Sequence, residues 1–135
     1  MTEEQIVLVR ESFAKVAPIA EAAAAVFYDR LFALNPSLRP LFKGDMEEQG
    51  RKLMDIIGTA VDNLDRLEKI IPAVRDLGRR HRSYGVGDAD YETVGSALIW
   101  TLEDGLGNAF TPAVRDAWIA CYGTLAGEMK GASGG

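Results

Sequence analysis

The sequence predicts an all-α fold of six or seven helices of unequal length, and three observations carry that expectation. Apolar residues recur every three or four positions through most of the chain. Strict alternation of apolar and polar residues never persists, and the punctuation between periodic stretches is that of helix caps. At 135 residues, 47% hydrophobic and 26% charged, the chain suits one domain with a proper core.

Thr2 and Gln5 form a capping-box pattern, and Ile6, Val9, Phe13 and Val16 repeat behind it, predicting a first helix over about 3–16. Pro18 begins the next, over about 18–34. Asn35-Pro36 and Thr111-Pro112 each set a capping residue before a proline suited to the first helical position. They start a short helix reaching about Pro40 and a last helix reaching about Lys130. Between them, helices are expected over about 45–64, 68–83 and 90–106, parted by Lys43-Gly44, the Asp65 region and Gly85 to Asp88. No internal repeat stands out. Residues 1–130 read as one domain, and the glycine-rich end, 131–135, as a disordered tail.

Charge and cysteine usage exclude several function classes. Fifteen Lys and Arg against 20 Asp and Glu give a net charge of -5, the wrong sign for a protein that binds nucleic acid by neutralising phosphates. The single cysteine, Cys121, allows no intrachain disulfide and no multi-cysteine metal cage, and no C-x-x-C-H is present for covalent haem attachment. Cys121 therefore reads as a small apolar residue of the last helix, and Trp100 and Trp118 as packing aromatics. The start, Met1-Thr2-Glu3-Glu4-Gln5, is acidic where a secretion signal is basic. The longest apolar run, Ala22 to Tyr28, is stopped by Glu21 and Asp29, too short for a membrane span. A cytoplasmic protein is expected.

Three polar residues interrupt apolar stripes. His81 sits among Arg79, Arg80 and Arg82, and composition alone would make it part of a solvated basic helix end. At about 100° per residue, however, Ile70, Val74, Leu77 and His81 fall on one side. As the only histidine it can anchor neither a two-histidine zinc site nor an H-E-x-x-H motif. It can supply one axial bond to a metal whose other ligands belong to a cofactor, as a porphyrin's do. Gln49 precedes Leu53, Ile56 and Ala60 on another stripe, where the plainer reading is a partly exposed residue of the first helical turn. Tyr28 shares a face with Ala24, Leu31 and Phe32, where a core tyrosine would ordinarily satisfy its hydroxyl on a backbone carbonyl.

In order along the chain, these segments resemble a globin from about residue 2 to residue 130. Asn35-Pro36-Ser37-Leu38-Arg39-Pro40-Leu41-Phe42 resembles the short third helix that ends in a phenylalanine packed on the haem. Gln49-Gly50-Arg51-Lys52-Leu53-Met54 resembles the distal helix, and Leu77 to Val86 the proximal segment. Phe110 to Trp118 with Tyr122 resembles the start of the last helix. The likeness is greatest to single-domain bacterial haemoglobins, to the globin half of flavohaemoglobins and, in the proximal segment, to neuroglobin.

The resemblance implies a globin fold around non-covalent haem b, with His81 as the proximal iron ligand and Tyr28, Gln49 and Leu53 on the distal side. It implies a pocket lined by Phe42, Leu77, Val86 and Val94, with Phe27, Phe32 and Leu98 nearby. Lys52, Arg79 and Arg80 become candidates for the haem propionates, with a solvated surface role as the alternative. Tyr91 matches a tyrosine that flavohaemoglobins place beside the proximal histidine. The glutamate that accompanies it in that family has no counterpart here: the register falls near Ser133, and Glu128 comes more than a turn early.

Tight, slowly released oxygen at ferrous iron is the first function implied, in storage, transport or delivery. The second is nitric oxide dioxygenation, which needs a separate reductase because 135 residues do not hold one. A haem-based sensor of oxygen, nitric oxide or carbon monoxide is the third, and a haem-free helical interaction domain the fourth.

Overall fold

A computed structural model describes residues 1–42, 44–83 and 85–134, and the side chains of residues 1–42, 44–83 and 85–131. Lys43 in the expected 43–44 boundary, Tyr84 in the proximal segment and Gly135 of the tail lie outside the described residues, as does the side chain of Ser133. The described residues form helices α1 (Glu3–Val16), α2 (Ala20–Leu34), α3 (Met46–Asp62), α4 (Ile71–Ser83), α5 (Asp88–Leu106) and α6 (Pro112–Gly134), with no strand among them.

The caps read from the sequence are the caps the chain uses. Thr2 Oγ1 accepts from the Gln5 N–H, and Gln5 Oε1 accepts from the Thr2 N–H, both at 3.1 Å. Asn35 Oδ1 accepts from the Ser37 N–H at 3.1 Å, and Thr111 Oγ1 from the Val114 N–H at 3.2 Å. Asp45 Oδ1 caps α3 through the Glu47 N–H at 2.9 Å, and Asp90 takes the Gly87 N–H at the start of α5 at 2.9 Å.

Boundaries shift where proline tightens the backbone. Ala17–Ile19, around Pro18, is a 3₁₀ turn before α2, and the segment Pro36–Leu41 is 3₁₀ throughout. The helix expected from residue 68 opens with a separate 3₁₀ turn, Leu67–Lys69. The α-helix starts at Ile71, with Pro72 in the first turn, where a missing N–H costs nothing. The backbone of α6 runs on past Lys130 to Gly134.

The core is built where α2 packs on α5 and α3, and α1 on α6. Val9, Leu31, Ala97, Ala117 and Trp118 are almost wholly excluded from solvent. The Trp118 indole N–H donates to Ser12 Oγ at 2.8 Å, satisfying a polar group the core would otherwise strand. Cys121 is buried beside them, and burial pushes its thiol up to about 11. Trp100, in contrast, is 40% exposed on α5, with the Arg30 guanidinium 5.0 Å from its ring centre, so it does not join the core.

Helix α4 is placed differently from α3. It packs chiefly on α6 and on the turn that precedes it, whereas α3 packs on α2 and α1; neither is a principal neighbour of the other. Three glycines make the closest approaches, Gly95 of α5 meeting the Tyr122 ring of α6. A Cβ on Gly50 of α3 would lie 2.8 Å from the Ala24 Cβ of α2, and one on Gly78 of α4 would lie 2.4 Å from the Met129 carbonyl oxygen of α6.

Candidate functional site

His81 stands in the last turns of α4 and is half-buried. Its Nδ1 lies 2.7 Å from the Leu77 carbonyl oxygen, one turn back. A carbonyl can only accept, so Nδ1 donates to it, and in the neutral ring the lone pair then belongs to Nε2. That is the tautomer an axial metal bond at Nε2 requires. Among the described residues no group of three or more His, Cys, Asp or Glu side chains could hold a metal ion. A metal bound by His81 would therefore have to arrive with ligands of its own.

Tyr91 of α5 is buried beside this imidazole, the two ring centres 6.5 Å apart and tilted by 30°. The Tyr122 hydroxyl of α6 donates to the Tyr91 carbonyl at 2.6 Å, and the Lys130 Nζ stands 5.8 Å from the Tyr91 ring centre. Burial and the neighbouring Tyr91 push the Tyr122 phenol well above its ordinary range. Glu128 faces elsewhere: it pairs with Arg75 at 3.0 Å.

Tyr28 is buried in an aromatic cluster, its ring centre 5.1 Å from Phe27, 5.3 Å from Phe42 and 6.0 Å from Phe32. Its hydroxyl donates to the Gln49 backbone carbonyl at 3.4 Å, so the commonplace satisfaction of a core tyrosine is realised, but at the long limit of a hydrogen bond. Burial pushes the Tyr28 phenol up to about 12, which keeps it a donor across the physiological range. Gln49 is half-buried in the first turn of α3, and Leu53 follows one turn on.

The apolar side chains that should line a pocket are incompletely covered by the chain. Phe42, Leu53, Leu77, Val86 and Val94 are all half-buried, and Leu53 belongs to α3, Leu77 to α4 and Val94 to α5. Phe27 and Leu98 are buried in the core behind them, around a void of about 10 Å³ that Leu53 also lines. Phe32 lies at the other end of the aromatic cluster, with the Arg39 guanidinium 5.1 Å from its ring centre. Lys52 is exposed and paired with Glu48 at 3.5 Å, and Arg80 is exposed and paired with Asp76 at 3.1 Å. The sequence reading passed over Gly50 and Gly78, although a lone glycine inside a helical pattern is the usual sign of close backbone approach.

A flat apolar group carrying a metal fits this arrangement. One imidazole is tied down through Nδ1, apolar side chains of α3, α4 and α5 are only half-buried, and α3 and α4 are not principal neighbours.

Comparison with known proteins agrees with this reading. The chain is 35% identical over 114 residues to a flavohemoprotein of Bacillus subtilis, covering 82% of this chain and 29% of the relative. It is 30% identical to a flavohemoprotein of Vibrio cholerae, of which it spans 33%, and so covers only about a third or less of either relative's length. It is also 30% identical to neuroglobin of Danio rerio, over 96% of this chain and 90% of that one. A bacterial globin from Campylobacter jejuni superposes with a TM-score of 0.85 at 25% identity, over 98% of this chain and 96% of the other. With the globin family matching residues 25–129 and the neuroglobin likeness running nearly end to end, the chain belongs to the globin family.

Proposed function

We propose that this globin binds haem b non-covalently and uses it to hold oxygen reversibly, with high affinity and slow release, in the cytoplasm. The observation that carries the reading is the tautomer of His81: Nδ1 is tied to the Leu77 carbonyl at 2.7 Å, which leaves Nε2 for a single axial bond. Haem, when bound, supplies an iron whose remaining face takes a diatomic gas.

The chain's own residues then set what that face does. Half-buried Phe42, Leu53, Leu77, Val86 and Val94 exclude water, which protects ferrous iron from oxidation. Tyr28 and Gln49 supply donors on the distal side. The Tyr28 hydroxyl gives up only a 3.4 Å bond to a carbonyl when it turns to a ligand, so reorientation costs little. A hydrogen bond to a partly charged acceptor contributes about 1.5–3 kcal/mol. Tyr28→Phe should therefore speed oxygen dissociation roughly 10- to 100-fold, read by stopped flow. Release at the parental rate would remove the hydroxyl from the mechanism.

Nitric oxide dioxygenation with a separate reductase is the second reading, supported by the flavohemoprotein relatives. The carrier reading is preferred because Glu128 of α6 is engaged by Arg75, while a lysine stands over Tyr91. Neither feature makes His81 more electron-donating. Nitric oxide consumption by the oxygenated protein in a reducing lysate separates the two: a single turnover supports the carrier, sustained turnover the enzyme. Pure protein that stays colourless when supplied with haem would overturn both.

A further inference from the structure

A crevice of about 340 Å³ lies away from His81. It runs between α2 and the start of α3, and its inner wall is Tyr28. Its walls are lined by small side chains, Ala24, Ala25 and Gly50, because α2 and α3 cross so closely that Gly50 cannot carry a Cβ. Phe32 and the half-buried, flexible Met46 complete the apolar part, and Glu21, Asp29 and Glu47, against the single Arg39, give the lining a net negative charge. Tyr28 borders this crevice, and its hydroxyl is held by a 3.4 Å bond to the Gln49 carbonyl.

We propose that this crevice is the route by which small neutral gases reach the distal side, with the Tyr28 hydroxyl bond to the Gln49 carbonyl as its latch and Met46 as its plug. The proposal rests on the haem reading above. Its lining suits an apolar diatomic molecule, and its net negative charge disfavours anions of similar size. The void behind Leu53, at about 10 Å³, has room for little more than one water and offers no comparable way through.

A passage is a barrier lying between the free and bound gas, so narrowing it slows movement in both directions by the same factor and leaves the equilibrium constant alone. Ala25 is exposed on the crevice wall, so Ala25→Trp can obstruct it without disturbing the core. Carbon monoxide association and dissociation are measured for the haem-loaded protein by flash photolysis and ligand replacement. Ala25→Trp should slow both by about fivefold, and Met46→Ala should speed both. Xenon should shift the Ala25 and Met46 methyl resonances, with and without haem, and Ala25→Trp should abolish the Met46 shift.

Rates in both variants equal to the parent's, a change confined to one direction, or no xenon response would each overturn the passage. A parent protein that takes up no haem would instead overturn the haem reading, and the passage with it.

Discussion

Gly78→Ala is expected to destabilise a helix that alanine would normally favour. Alanine in place of glycine in a helix interior contributes about 1 kcal/mol. Here, though, the new Cβ would stand 2.4 Å from the Met129 carbonyl oxygen, 2.7 Å from its Cα and 2.9 Å from its carbonyl carbon. All three are backbone atoms of α6, so no rotamer can relieve the overlap, and α4 must back away by about 1 Å to restore ordinary contact. Overpacking of this kind costs about 1–3 kcal/mol or more, which exceeds the gain from propensity. The net should be a loss of about 1–2 kcal/mol, or a fall of about 3–10 °C in Tm for a chain of this size. Because His81 is the next turn of the same helix, haem should also pass more quickly to an acceptor globin. Gly127→Ala is the internal control: nothing lies within 4 Å of a Cβ there, so the same exchange on α6 should stabilise by up to about 1 kcal/mol. Thermal and urea unfolding of both variants decide the matter. A Gly78→Ala protein that gains stability alongside Gly127→Ala would refute the argument that this crossing positions α4.

Ser12→Ala leaves the buried Trp118 indole N–H without its 2.8 Å acceptor and should cost about 1–3 kcal/mol by urea unfolding; an unchanged midpoint would refute it. Asp65 is held below the usual carboxylate range, chiefly by its 2.8 Å hydrogen bond from Arg10, which also reaches the Val61 and Asp62 carbonyls at the end of α3. Its folded value is depressed, so the stabilisation is present above the ordinary aspartate range and lost as the pH falls through the folded value. Asp65→Asn should flatten that part of the acid-unfolding curve. With the Tyr28 phenol pushed up to about 12, the oxygen dissociation rate should stay flat to about pH 10, and a step near neutrality would argue against Tyr28 as donor.

What the sequence carried was local, and what it missed was the identity of partners far along the chain. Asn35-Pro36 and Thr111-Pro112 gave their helix starts because a cap and a fixed φ act within three residues. Pro18 and Pro72 blurred the boundaries beside them, since 3₁₀ and α turns share nearly the same apolar spacing. The phase of His81 with Leu77 was legible, and the hydrogen bond between them is its direct consequence. That Tyr28 meets the Gln49 carbonyl, or Gly78 the Met129 backbone, depends on how whole helices cross, and no pattern within one helix specifies that. Trp100 went to the surface, 40% exposed with Arg30 over its ring, while Ala97, Leu98, Thr101 and Leu102 of the same helix are buried.

The all-α fold was legible in the helical periodicity, and the half-buried apolar side chains near His81 bear on what could complete it. Leu53, Leu77, Val86 and Val94 are half-covered by the chain. Each half-buried side chain forgoes part of the roughly 25 cal/mol per Å² that burial provides, so the folded chain alone is less stable than its composition permits. A ligand that covers those faces and binds only the folded state raises stability by RT ln(1 + [L]/Kd), about 4 kcal/mol when it is present at a thousand times its Kd. Under the haem proposal, the bound group would complete the core as well as carry the chemistry. The polar residues that break its apolar stripes, His81, Gln49 and Tyr28, are the ones a purely structural core would have replaced with leucine.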